Sequence, residues 1–400
     1  MLDHFDVSMI HPHRTASIRL GMLVLMAAIG ALFVYKYGSR ISVHAALYAG
    51  IYAVLFLAAG VVVWLRSGLS GGRVSAQLRL RSKGFLIVVA LIVVAAVAIT
   101  ILLPGSGRLG RLPAIDIWLG RLLDGTFPYG PPGNPSGFPG LYLLAAPFYL
   151  LGIPEFMAVF GLCVFAGLVA LGVPQQTERM AMMVTLAALP TTWYEVLLKS
   201  ELLLNMVLVI GSLIAAERLL RNPERSSPSS KKSNAGRTLL VGVLFGFVLS
   251  TRLTVAVVYG MYLVWRFRSG ARQGIVVAIV AVVVFFVPLP LFILWDRATF
   301  LEWGPFAVQS LYLPTYVVVA FGATGLFCAF VARNPSELLA FVGYVLFALT
   351  AASFGYAIAE YGFVEAVMDG YDITYFIFCI PFFVISLSSF TFVRRPDEST

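Results

Sequence analysis

The feature that most limits this chain is the recurrence of long apolar runs. They read at about 18–35, 43–65, 84–103, 138–152, 155–173, 180–197, 202–220, 238–250, 253–267, 273–295, 313–332, 336–359 and 373–392. Most approach the ~20 residues that carry a helix across a bilayer. Their apolar residues are continuous rather than alternating, which excludes the strands of a transmembrane barrel. In 400 residues that are 60% hydrophobic, no stretch is left over for a soluble domain, and no internal repeat stands out. The pattern predicts an all-α, polytopic transmembrane bundle of about 12–13 apolar helices, a single membrane domain over residues 1–400.

Charge orients that bundle. A net charge of +9 reports, in a membrane protein, an excess of Lys and Arg in cytoplasmic loops rather than affinity for nucleic acid. Arg66, Arg73, Arg79, Arg81 and Lys83 mark one such loop, and residues 221–237 form a second, Ser-rich one. Arg266, Arg268, Arg272, Arg333, Arg394 and Arg395 fall where further cytoplasmic ends are expected. Arg14 and Arg19 put the N-terminal tail on the same side. No small-residue cleavage site is evident there, so a cleavable signal peptide is not expected. Residues 105–137 then lie outside. That placement requires an odd number of crossings before residue 221, whereas the intervening runs are even in number. The run 138–152 is short and carries Pro139 and Pro147, so it is the one expected not to span. About twelve crossings result, with both termini cytoplasmic in a multi-pass cell-membrane protein.

The outer stretch 105–137 organises the rest. IDIWLGRLL, from Ile115 to Leu123, has one polar and one apolar face at helical spacing. It reads as a short helix lying on the membrane surface, with Trp118 at headgroup level. FPYGPPGNPSGFPG, which follows, is excluded from helix and central strand by its Pro and Gly. A loop this long is functional or disordered, and its aromatics point to order.

Charges beside apolar segments are costly and so become functional candidates. The outer face gathers Asp116, Asp124, Glu195, Glu201, Asp296, Glu302, Glu365, Asp369 and Asp372, against Arg108, Arg111, Arg121, Lys199, Arg252 and Arg297. Asp116, on the short helix and near arginines, suits a general base for an acceptor hydroxyl. Asp124 precedes Gly125 and reads first as a turn cap. Glu195 and Lys199 are i,i+4 neighbours that could pair, which leaves Glu201 to face the central loop. Arg252, in LSTRLTV, is either bound to helix-end carbonyls or a phosphate ligand, since guanidinium keeps its charge and binds phosphate bidentately. Cys163, Cys328 and Cys379 lie inside apolar runs and read as small hydrophobes. His4, His11, His13 and His44 lack metal-ligand spacing. No GxSxG, HExxH or Walker loop occurs.

Three phrases carry a family resemblance: DIWLGRLLDGTFPYGPPGNPSGFPGLYLLAAPFYLLG, VGVLFGFVLSTRLTVAVVYGMYLVWRFR and DGYDITYFIFCIP. Together they are similar to the GT-C superfamily of integral membrane glycosyltransferases, which use polyprenyl-phosphate-linked sugars. The resemblance covers residues 84–392, leaving 1–83 as an N-terminal two-helix extension. It implies Asp116 and Glu201 as catalytic acids, and Arg111, Arg121, Asp124, Tyr129, Lys199, Arg252, Asp372 and Tyr375 as substrate-binding residues. It also implies a polyprenyl-phosphate-linked sugar donor and a lipid, glycan or protein acceptor, met at the extracytoplasmic face. No cofactor is required by it, although a divalent metal would be compatible. The chain departs from the family where Asp116 is followed by Ile117 rather than a second acid, and where no C-terminal soluble domain follows.

Two rivals come from other classes. A transporter or lipid flippase predicts a midplane site with broken helices, for which Pro288, Pro290 and Thr251–Arg252 are the candidate breaks. A non-catalytic assembly subunit predicts outer acids that do not converge.

Overall fold

A computed structural model describes residues 11–69, 82–104, 111–133, 135–220, 230–268, 273–310, 313–388 and 390–392. Arg73, Arg79, Arg81, Arg108, Asn134, Arg221, Arg272, Arg394 and Arg395 lie outside the described residues. The chain is all-α. In order come α1 (His11–Gly38), α2 (Ala45–Leu69), α3 (Ser82–Leu102), α4 (Leu112–Leu123), α5 (Pro139–Leu150), α6 (Met157–Gly172), α7 (Gln176–Ala188), α8 (Pro190–Leu197), α9 (Leu202–Leu220) and α10 (Ser230–Leu249). There follow α11 (Val255–Arg268), α12 (Gln273–Phe286), α13 (Leu289–Trp295), α14 (Arg297–Trp303), α15 (Pro305–Ser310), α16 (Thr315–Val331), α17 (Pro335–Tyr361), α18 (Phe363–Glu365) and α19 (Ile380–Ser386). A π-helical turn (Ala366–Gly370) and a 3-10 helix (Ile373–Phe378) lie between α18 and α19.

Among the described residues, seven helices are long and apolar enough to cross a membrane, or up to eight if the pair bent by 81° around residues 371–372 is one span. Other apolar runs are shorter than the sequence suggests because proline breaks them. Run 180–197 divides at Pro190, which holds Leu189 extended and begins α8. Run 373–392 divides into the 3-10 helix and α19.

Contacts sort the helix ends into two groups. At one end, Tyr37 of α1 stacks on Tyr194 of α8 with ring centroids 4.4 Å apart. Tyr35 meets Phe363 there, and Gly140 of α5 meets the end of α10 at Ser250. At the other end, Arg14 pairs with Glu337 of α17 at 3.4 Å. Arg268 donates to the carbonyls of Phe330 and Ala332, and Thr391 N donates to Gly172 O at 3.0 Å. The helix ends that lead into the basic loops all belong to this second group. Among the described residues, α1, α2, α3, α6, α9, α12 with α13, and α17 run between the two ends at spanning length.

α5 does not. Gly140 touches α10 at the first end, while Tyr149 approaches Gly120 of α4 and Phe148 packs on Phe160 near the start of α6. Run 138–152 therefore lies across that end, as its length and prolines predict.

The interior is centred on α9, 67% of whose apolar window is buried, against 6% for α2. α2 is thus a peripheral helix whose exposed Leu47, Ile51, Val54 and Leu55 suit lipid contact. A second apolar cluster caps the first end, built from Trp118, Tyr129, Tyr142, Phe292 and Phe300 among others. Here the sequence expectation for Trp118 is corrected. Its ring is 1% exposed and stacks on Tyr142 at 4.3 Å, so α4 docks onto α5 and α13 rather than floating its aromatic among headgroups. An amphipathic face signals burial, and it does not say whether lipid or protein does the burying.

Candidate functional site

The polar groups of the first end converge from four chain segments. Glu195 is on α8, and the helix stops at Leu197. Lys199 adopts a left-handed conformation (φ 55°), which turns the chain so that Glu201 enters α9. The i,i+4 pairing expected of Glu195 and Lys199 therefore does not form: Lys199 stands beyond the helix, and among the described residues no ion pair joins the two. Glu195 and Glu201 are instead 1% and 2% exposed.

Arg252 comes from the turn after α10. Thr251 Oγ1 closes that helix by donating to Val248 O at 2.6 Å, which brings Arg252 inward to 5% exposure. Its guanidinium is ion-paired with Glu201 and lies 5.9 Å from the centre of the Phe378 ring. Either charge alone at this depth would cost several kcal/mol, so each requires the other.

Arg111 precedes α4 and is 4% exposed. It donates to Asp372 at 2.8 Å and to Thr374 Oγ1 at 2.5 Å, and the Tyr375 ring lies 5.1 Å from it. Asp372 is already fixed as the cap of the 3-10 helix, accepting from Thr374 N at 3.1 Å and Thr374 Oγ1 at 2.6 Å. Burial opposes the charge of Arg111, but Asp372, Tyr375, Glu201 and Glu195 together hold it above its usual range. That field ties both glutamates and Asp372 into one cluster.

A cavity of about 320 Å³ opens beside the cluster. Arg252, Tyr375 and Phe378 form one part of its wall, and Val257, Leu346 and Leu349 form much of the rest. Thr315 and Val318 of α16 also border it and are exposed on the outer face of the bundle. Arg252 is the charged group of this lining, which is otherwise apolar with hydroxyls from Thr254, Thr315, Thr350 and Ser353.

The loop 124–138 is held next to this site by two devices. Arg121 donates to Gly130 O at 2.9 Å and Pro131 O at 2.8 Å, so its charge is used to fold its own loop. Gly130 there has φ +102°, a conformation glycine adopts at no steric cost. At Gly140 a Cβ would fall 2.6 Å from Ser250 O, so only glycine allows α5 to rest on the end of α10 next to Thr251–Arg252.

Of the residues singled out in the sequence, Glu201, Arg252, Arg111, Asp372 and Tyr375 come together. Tyr129 is buried, donating to Gly137 O at 3.3 Å within the aromatic cap. Asp124 ends α4 and is exposed, in the place expected of a cap. Asp116 is half-buried, does not border the Arg252 cavity, and has Glu155 as its charged neighbour. Burial and then Glu155 push its carboxyl above the usual range. Among the described residues no group of three His, Cys, Asp or Glu gathers as a metal centre would need.

Sequence reasoning passed over three participants. Thr374 and Tyr142 carry no charge and gave no signal, yet Thr374 bridges Arg111 to Asp372, and Tyr142 lies in the field of Arg252 and Glu201. Lys36 is fully buried at this end and directly follows the apolar run 18–35, a charge beside an apolar segment that could have found it. Compared with protein-family models, curated proteins and solved structures, the chain matches none.

Proposed function

We propose that this protein is a membrane glycosyltransferase that moves a sugar from a polyprenyl-phosphate donor to an acceptor at the extracytoplasmic face. The observation that carries the reading is Arg252 in the wall of an otherwise uncharged, mainly apolar cavity beside α16. An amphiphile with an anionic head and an isoprenoid tail fits that division. The donor enters from the bilayer past α16, its tail along Val257, Leu346 and Leu349 and its phosphate at Arg252. Glu201 holds the guanidinium oriented until the phosphate arrives. The family resemblance implies Asp116 as the base that takes the acceptor proton as the hydroxyl oxygen attacks the anomeric carbon and the phosphate leaves. Asp116 lies outside the Arg252 cavity, so in this reading the acceptor reaches from α4 into the cavity mouth, and the raised carboxyl is a better base near neutrality than an ordinary aspartate. The lysine and arginine bias of the opposite end supports an outward-facing site.

A transporter or flippase is the second reading, favoured by the 81° break next to the cavity. Against it, the charges gather at one end of the bundle rather than midway. Purified protein assayed with a panel of polyprenyl-phosphate sugars separates the two. Sugar transfer that Arg252→Lys weakens is expected. No transfer from any donor, together with lipid flux in proteoliposomes, would overturn the enzyme in favour of the transporter.

A further inference from the structure

Two of the three carboxylates in the cluster have an arginine each: Glu201 has Arg252, and Asp372 has Arg111. Among the described residues Glu195 has no ion pair. It is 1% exposed, and neither of its carboxylate oxygens makes a hydrogen bond of ordinary geometry. The groups that act on it come from several elements: Arg111 before α4, Ser200 and Glu201 at the entrance to α9, and Asp372 before the 3-10 helix. α1, which packs on α8, brings Lys36 and Tyr37 to the same end, and Lys199 follows on its own turn. Glu155 precedes α6, while the ends of α3 and α7 that meet α8 carry no charged residue.

Each of the two ion pairs is neutral, and neither Lys36 nor Lys199 is among the groups that act on Glu195, so an ionised Glu195 carries a charge that no neighbouring cation pairs among the described residues. A bound phosphodiester adds another. Two uncompensated anions inside a site this dry are costly, and the least costly relief is a proton on the carboxylate that lacks a partner. We propose that Glu195 is a charge-compensating positioning residue, which takes up a proton when a lipid phosphodiester binds beside Arg252 and releases it when the anion leaves. The proton comes from solvent, forms an O–H bond on the carboxylate, and returns to solvent. This rests on the donor reading above. Burial, opposed by Arg111 and Ser200 and reinforced by Glu201 and Asp372, pushes the Glu195 carboxyl up to about 7, where a modest added field changes its protonation.

The test is titration calorimetry of the full chain in detergent with methyl geranyl phosphate, a diester whose single charge does not titrate. It is run at about pH 8, one unit above the Glu195 midpoint, in two buffers of different ionisation enthalpy. Wild type is expected to take up close to one proton per diester, and its affinity to fall by about tenfold per pH unit above neutrality. Glu195→Gln is expected to bind with no uptake and a flat pH profile. Should that variant fail to fold, wild type alone decides: uptake at about pH 8 that vanishes near pH 5.5, where Glu195 is already protonated. Binding without uptake, uptake that persists in Glu195→Gln, or uptake of equal size at both pH values overturns the proposal and leaves the donor site standing. Failure of folded wild type to bind the diester overturns the donor reading, and the proton linkage with it.

Discussion

The carboxylate of Glu201, at the entrance to α9, is ion-paired with the guanidinium of Arg252, 51 residues further along in the turn after α10. Both side chains are buried, and Arg252 borders the cavity while Glu201 does not. Removing either partner strands the other. Glu201→Gln is expected to cost about 3–5 kcal/mol of stability, and Arg252→Lys much less, because a cation remains. Donor binding should show the reverse sensitivity for Arg252→Lys, falling roughly tenfold to a hundredfold with the lost bidentate contact. Full donor affinity in Arg252→Lys would make this arginine purely structural.

Asp116 has Glu155 as its charged neighbour and does not border the Arg252 cavity. Asp116→Asn is expected to lower the transfer rate on the order of 10²–10⁴-fold with an unchanged melting temperature. Asp124→Asn, at an exposed helix end, should leave the rate near wild type. Should Asp116→Asn retain full activity, the base must be sought among the buried acids around Arg111 and Arg252.

Gly140 allows α5 to touch the backbone of α10. Gly140→Ala places a methyl group 2.6 Å from Ser250 O, and backbone cannot yield as a flexible side chain can. A loss of about 1–3 kcal/mol is expected, read as a lower melting temperature and weaker donor binding. Gly236→Ala, whose Cβ would meet nothing within 4 Å, is the control and should be neutral or stabilising.

Glu195 also links stability to pH. Its carboxyl is raised from the usual glutamate range to about 7 in the folded protein, so the folded state holds a proton that the unfolded chain has released. Its contribution is therefore most favourable below the unfolded midpoint and declines as pH rises to about 7. The decline totals roughly 3 kcal/mol at most. Melting temperatures of wild type relative to Glu195→Gln should fall between about pH 5 and pH 7 and then level. A difference that is flat across this window would mean that Glu195 is charged throughout.

Orientation is tested by cysteine labelling in a background lacking Cys163, Cys328 and Cys379. An impermeant reagent added outside cells should label Thr126→Cys, in the exposed turn after α4, and spare Ser229→Cys in the basic loop. The opposite pattern would put the site in the cytoplasm.

The sequence by itself determined the class of the fold and the grouping of its ends. Apolar runs of bilayer length admit only helices, and the basic loops follow alternate passes, so their charges mark one end of the bundle. The short, proline-bearing run 138–152 also stood out in the sequence as one that does not span, whereas the break at Pro190 in run 180–197 emerged only in the structure. What the sequence could not give was partnership. Arg111 and Asp372 are 261 residues apart, and no local pattern ties them. Burial looks the same from sequence whether a face meets lipid or protein, because both are apolar. For that reason Trp118 was expected at the surface and lies inside. Arg121 and Lys199 were legible as charges, but the fold of the 124–138 loop and the left-handed turn at Lys199 decided what each one faces. Only the packing of α5 on α10, and of the 3-10 helix beside α8 and α9, brought Glu195, Glu201, Arg252, Arg111 and the half-buried Asp372 into one cluster. That arrangement is fixed by side-chain volume and ion-pair geometry across segments far apart in the chain.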